Sequence, residues 1–364
     1  MKTDTLFLNM GPQHPSTHGV LRLGLTISGE VIVEAMPDIG YLHRGVEKLL
    51  ETRTYAQGVV LADRLDYCSA MSNDLAFCLS VEKLLGAQVP KRAQVLRVIM
   101  AELNRIASHL IFFGTYGIDI GAFTPFLYAF REREMVLDLF EMCCGARLTY
   151  NYIRPGGVAS DINADWIARC REFLDFFKPR LDEYDTLLSF NPIFLVRTQT
   201  VGIITPKTAV AWGLSGPNLR ASGVNYDVRQ AEPYCGYEQY DFTVALGKTG
   251  SCWDRYFCRV VEMRQSVRIV EQALSRLASG EIMAKLPKVL RLPAGEAYSH
   301  IEASRGDLGV YIVSDGGLAP YRLHFRAPCF INLAILQEIL VGKKVADVIA
   351  VLGSLDIVLG EVDR

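Results

Sequence analysis

The sequence predicts an α+β fold: a bundle of long helices with a small antiparallel β region. Three observations carry this. Residues 5–36 alternate apolar and polar side chains with the period of two that a half-buried strand shows. From about 44 to 280 the period lengthens to that of amphipathic helices, and the joining segments are short. Strand-like alternation then returns within 300–364. No internal repeat, low-complexity tract or linker interrupts these regions, so 1–364 is read as one domain. It comprises an N-terminal β region (5–36), a mainly helical core (44–280) and a C-terminal β/α region (300–364). The two β regions are expected to share a sheet at one end of the bundle.

In order, TLFLNM (5–10), VLRLGLTI (20–27) and EVIVEAM (30–36) read as strands, with Ser28-Gly29 turning between the last two. Helical spacing covers 44–59, 64–85, 91–115, 125–152 and 165–188. In 91–115, Val95, Ile99, Ile106 and Leu110 form an apolar stripe, with Arg92, Arg97 and Glu102 elsewhere. Gly86 and Pro90 mark one junction; Gly117, Gly121 and Pro125 mark the next. Residues 200–250, rich in glycine and aromatics, read as loops with short elements, and 255–279 returns to a long helix. Strands at 308–315 and 321–328 flank Gly316-Gly317, followed by short helices at 330–341 and 344–352.

Half of the 364 residues are hydrophobic and the mean hydropathy is +0.18. Yet no run reaches the roughly 18 apolar residues of a membrane span, and the start, MKTDTLFLNMGP, does not resemble a signal peptide. Apolar surplus without a span points to surfaces covered by other subunits, as in a peripheral member of an assembly. Thirty-eight basic and 40 acidic residues leave a net charge of −2, with no basic stripe for nucleic acid. The nine cysteines (68, 78, 143, 144, 170, 235, 252, 258 and 329) form no C-x-x-C pair, which offers neither a zinc ribbon nor an ordinary iron–sulfur loop. They read as reduced thiols of a cytoplasmic chain.

GPQHPSTHG (11–19) is the most informative stretch. Pro15 between His14 and His18 forbids a regular helix, so the two imidazoles do not form a one-face metal pair. A rigid loop presenting imidazoles is a binding-loop design; a turn with merely solvated histidines is the plainer alternative.

Taken with IGYLHRGVEK (39–48), RLDYCSAMSNDLAF (64–77), DIGAFTPFLYAFRERE (119–134), GLSGPNLRASGVNYDVR (213–229), SDGGLAPYR (314–322) and LGSLDIVLGEVDR (352–364), this loop resembles one family. It is similar to the 49 kDa, or D, subunit of proton-pumping NADH–quinone oxidoreductase, respiratory complex I. The resemblance implies the fold of the nickel–iron hydrogenase large subunit without its metal site. A hydrogenase needs four thiolates from two C-x-x-C pairs. Here RLDYCS keeps Cys68 alone and SLDIVLGEVD has no cysteine, which excludes hydrogenase chemistry.

The resemblance further implies that the emptied metal cavity holds a quinone head group, with no metal or cluster bound by this chain. His18 and Tyr67 would hydrogen-bond the quinone carbonyls as proton donors, and Asp119 would pair with His18. Arg64 and His109 would lie near the terminal iron–sulfur cluster of the neighbouring B subunit. Each residue also has a plainer reading from sequence alone. Asp119 reads as a cap, Tyr67 as a core aromatic on a helix face, Arg64 as an ion-pair partner of Asp63 or Asp66, and His109 as a satisfied core histidine. The run RERE (131–134) and the SDGGLAPYR turn are read as structural.

The function so implied is quinone reduction by electrons from the terminal cluster, coupled to proton pumping and absent from the isolated chain. Implied partners are the B, C and I subunits and the H and A subunits of the membrane arm, with further iron–sulfur clusters and FMN elsewhere in the complex. The implied location is the cytoplasmic face of the cell membrane, or the matrix or stroma side in an organelle. The alternatives are the equivalent subunit of a ferredoxin- or deazaflavin-dependent quinone or phenazine oxidoreductase, and a non-catalytic scaffold. A scaffold would not need His18, Tyr67 and Asp119.

Overall fold

The architecture was taken from a computed structural model, which describes residues 5–12 and 19–364. The expected α+β arrangement is present. Three strands, β1 (Thr5–Met10), β2 (Arg22–Ser28) and β3 (Val31–Asp38), pair antiparallel in that order. The alternation read from sequence follows from one face of this sheet being buried: Leu23, Leu25 and Ile32 are enclosed, while Phe7, Val33 and Met36 are exposed.

The helical core begins with α1 (Val46–Leu50) and α2 (Tyr55–Ala62), where the spacing predicts a single helix over 44–59. Thr54 breaks it: its hydroxyl accepts the Gln57 N–H and the Gln57 side chain accepts the Thr54 N–H, a capping box that starts α2 afresh. Next come α3 (Ala70–Leu85), α4 (Lys91–Asp119), α5 (Thr124–Cys144, closed by Gly145 at φ 72°) and a short hairpin, β4 (Ile153–Arg154) with β5 (Gly157–Val158). Then α6 (Ala164–Tyr184) precedes four short helices, α7 (Pro192–Thr198), α8 (Pro206–Ala211), α9 (Gly216–Arg220) and α10 (Val228–Ala231). The long α11 (Cys252–Ser275) completes the bundle.

The C-terminal region contains β6 (Gly295–Ala303), β7 (Gly306–Ser314) and β8 (Arg322–Arg326) in a second antiparallel sheet. Short helices α12 (Pro328–Ala334), α13 (Leu336–Ile339), α14 (Asp347–Leu355) and α15 (Leu359–Asp363) follow. The N- and C-terminal strands do not share a sheet, contrary to expectation. The N-terminal sheet lies against α13, whereas β6 and β7 lie on α3, so each buries its apolar face on a different helix. No helix among the described residues is long and apolar enough to cross a membrane.

Helix α4 is the central column, packed by α3, α5, α11 and α14. Of the polar residues expected off its apolar stripe, Arg92 stays partly exposed and pairs with Asp161, but Arg97 and Glu102 are buried, as are Arg105 and His109, all four at most 1% exposed. They are tolerated because each is paired. Arg97 donates to Glu82 (2.5 Å), and Glu102 accepts from Arg105, Arg229, the Tyr237 hydroxyl and the Ser266 hydroxyl. Burial pushes the Glu102 carboxyl up, but these partners together bring it down to about 2.

Candidate functional site

Tyr67 is not on a helix face. It occupies the turn before α3, because the Asp66 carboxylate accepts the Cys68 N–H (3.1 Å) and holds residues 66–69 out of helical register. Tyr67 is 38% exposed, whereas its neighbours Leu65 and Asp66 are buried. The ring rests against Gly360: a Cβ at that glycine would lie 2.7 Å from the Leu65 carbonyl oxygen and 3.1 Å from Tyr67 Cε1. Burial pushes the phenol pKa up, and Cys68 and Asp66 add to the rise, so the hydroxyl keeps its proton.

Beneath Tyr67 lies a buried charge cluster. The Arg305 guanidinium, 2% exposed, donates to Asp66 (2.7 Å), to the Ser108 hydroxyl (2.8 Å) and to both the carboxylate and the carbonyl of Asp356 (3.1 Å each). Asp356 adopts a left-handed conformation (φ 57°) at the end of α14, which turns its carboxylate and carbonyl inward. Arg259 approaches the same carboxylate at 3.5 Å. Glu361, 1% exposed, accepts the Cys329 N–H (3.0 Å) at the start of α12 through one oxygen. Its other oxygen has no partner among the described residues. Burial, with Asp66 beside it, pushes the Glu361 carboxyl up to about 7. Burial likewise pushes the Cys68 thiol up to about 12, which keeps it protonated.

His18 lies outside the described residues. Gly19, the residue that follows, sits against α15: a Cβ there would lie 3.3 Å from Leu359 Cδ1. Arg64 is exposed in the same turn as Tyr67, and among the described residues it forms no ion pair; Asp66 is taken by Arg305 instead. Asp119 ends α4, where its carboxylate faces Gly353 of α14 and the Tyr116 ring. Ser108, bonded to the Arg305–Asp66 pair, lies earlier on that helix, which sets Asp119 roughly 16 Å further along the axis. His109 is enclosed in the core, its Nε2 2.9 Å from Glu262, which also binds Arg220. Burial lowers its pKa, against the pull of Glu262.

The structure thus brings Tyr67 and Arg64 together at the surface, leaves Asp119 further along α4, and turns His109, next to Ser108, into the core towards Glu262. Arg305, Asp356 and Glu361 are not singled out by sequence reasoning. The signal available for the last two is the acids set in the apolar LDIVLGEVDR, a stretch read from sequence only for its missing cysteines. Among the described residues no group of three or more His, Cys, Asp or Glu side chains is arranged to hold a metal ion. A cavity of about 850 Å³ beside Glu82, Arg97 and His300 includes none of these candidate residues.

Comparison with known proteins agrees with the sequence blocks. The family model of the respiratory-chain NADH dehydrogenase 49 kDa subunit matches residues 119–291 and 287–364. The D subunit of the NADH-quinone oxidoreductase of Desulforamulus reducens is 53% identical over 363 residues, covering 100% of this chain and 99% of the relative. The D subunits of Bacillus anthracis and Bacillus cytotoxicus are 51% and 50% identical over 364 residues, with both partners fully covered. The chain therefore belongs to the 49 kDa subunit family of the respiratory-chain NADH dehydrogenase, and is a subunit of an NADH–quinone oxidoreductase complex.

Proposed function

We propose that this chain supplies one side of the quinone head-group site, with Tyr67 as a proton donor to a quinone carbonyl. The observation that carries this is the placing of Tyr67: a partly exposed phenol, held by the Gly360 contact, above a wholly buried charge cluster. Reduction places negative charge on the quinone oxygens and takes up two protons, so a fixed O–H there stabilises the product as charge develops. His18 is the second donor in this reading, and Asp119 orients it. The electrons arrive from the terminal iron–sulfur cluster of the B subunit, which Arg64 faces from the Tyr67 turn. His109, bonded to Glu262 inside the core, acts on that cluster at most through the buried network.

In this reading the C and I subunits complete the peripheral arm, the H and A subunits join it to the membrane, and quinone reduction drives proton pumping there. The names of the relatives, NADH-quinone oxidoreductase, support NADH as the electron source over ferredoxin or deazaflavin. The test is Tyr67→Phe in the assembled complex. The expected outcome is loss of quinone reductase activity by roughly 10²-fold, with NADH still reducing the clusters and subunit content unchanged. Full activity in that variant would remove Tyr67 as donor.

A further inference from the structure

We infer that Glu361 is the internal proton source of this site, returning to Tyr67 the proton that the phenol gives to the reduced quinone; this rests on the quinone reading above. Three observations support it. First, Glu361 is a buried carboxyl whose one oxygen accepts the Cys329 N–H, with the Cys329 thiol beside it, and whose other oxygen meets no hydrogen-bond geometry among the described residues. A buried carboxylate in that state is far more costly than the neutral carboxylic acid.

Second, the charges around it balance without it. The groups facing it are Asp66 from the Tyr67 turn, Arg305 from the β6–β7 turn and the Cys329 thiol; Asp66 and Arg305 are linked in turn to Asp356, its partner Arg259 and the Cys68 thiol. Arg44, which donates to the Gly360 carbonyl (2.6 Å), lies on the Tyr67 side. Two buried guanidiniums offset Asp66 and Asp356, leaving Glu361 as the surplus acid, neutral at rest.

Third, its chain neighbour adjoins the donor. Gly360, the preceding residue, touches the Tyr67 ring, and Asp66 and Cys329 lie near enough to act on both the phenol and the carboxyl. The step balances: quinone takes two electrons from the partner's cluster, one proton from Tyr67 and one from His18. The Tyr67 phenolate then takes the Glu361 proton, and solvent reprotonates Glu361 between turnovers. Glu361 is a positioning residue that acts through Tyr67, not a group that touches quinone.

The experiment is the pH profile of quinone reduction in the assembled complex with Glu361→Gln, Glu361→Asp and Tyr67→Phe. Wild-type activity is expected to fall as pH rises through about 7, because the carboxyl loses its proton there. Glu361→Gln keeps an acceptor for Cys329; it is expected to lower the rate below that pH on the order of tenfold and to abolish the limb. Glu361→Asp should retain a limb at a displaced pH. A Glu361→Gln complex with the wild-type profile, or with a lower rate and an unchanged limb, overturns the inference. If Tyr67→Phe alone is inactive, the quinone reading stands and the Glu361 role falls; if both variants are fully active, both fall. Should Glu361→Gln not assemble, the quinone-reduction infrared difference spectrum decides. A protonated-carboxyl band that moves in Glu361→Asp supports the inference, and a spectrum identical to wild type overturns it.

Discussion

Arg305→Met tests whether the buried cluster is held by one guanidinium. In the folded protein this guanidinium donates to the Asp66 carboxylate, the Ser108 hydroxyl, and the carboxylate and carbonyl of Asp356, all at 3.1 Å or less. The Arg305 backbone carbonyl, which accepts the Asn332 amide (3.1 Å), survives the substitution. Methionine roughly fills the volume but leaves the buried Asp66 without a cation and Asp356 with Arg259 alone, and removing one partner of a buried ion pair typically costs about 3–5 kcal/mol. A domain is stable by only about 5–15 kcal/mol, so the variant should retain a marginal fold.

The sign with pH is a second check on the same variant. Burial already pushes the Asp66 carboxyl up, Arg305 pulls it back, and Asp356 pushes it up again. Without Arg305 the folded-state pKa rises further above the unfolded value, so the folded state binds more protons. The deficit is then smallest in acid and grows by about 1.4 kcal/mol per pH unit for each such proton as pH rises towards neutrality. Denaturant unfolding of the purified subunit from about pH 5 to about pH 8 reads this directly. A deficit below about 1 kcal/mol, or one that does not change with pH, would refute the claim that Arg305 offsets these two carboxylates.

Two further outcomes are expected. Gly360→Ala should displace Tyr67, because its Cβ would stand 2.7 Å from the Leu65 carbonyl oxygen. Overpacking of this kind costs about 1–3 kcal/mol, and quinone affinity measured in the assembled complex should weaken while NADH still reduces the clusters. At the other sheet, His300 is held by Asp307 (2.7 Å) and Glu232 (3.1 Å), which push its pKa up to about 9. A raised histidine contributes stability that is complete below its unfolded pKa of about 6.5 and is lost as pH rises through the folded value. Unfolding midpoints of the wild type should therefore decline towards pH 9, and Asp307→Asn should move that decline to lower pH.

Local sequence determined the elements that depend on neighbours alone. The period-two runs made β1 to β3 and the long 3.6-residue period made α4 and α11, whereas the helical spacing read over 125–152 runs past Gly145, whose left-handed φ of 72° ends α5 at Cys144. The family blocks determined membership as well. What sequence could not decide is which charges are buried. Arg97 and Glu102 have the spacing of a solvated face, yet lie inside because other helices surround α4, a fact that no periodicity within α4 encodes. The strand patterns at the two ends are compatible with one sheet, whereas α3 and α13 each recruit their own, since sheet partners are chosen by long-range burial. Tyr67 illustrates the same divide. Its residue type and its neighbours in RLDYCS are legible, but its exposure, its contact with Gly360 at the far end of the chain and the surplus acid at Glu361 exist only once the C-terminal segment folds beneath it. Periodicity reports how a segment meets its surroundings; the tertiary structure alone decides what those surroundings are.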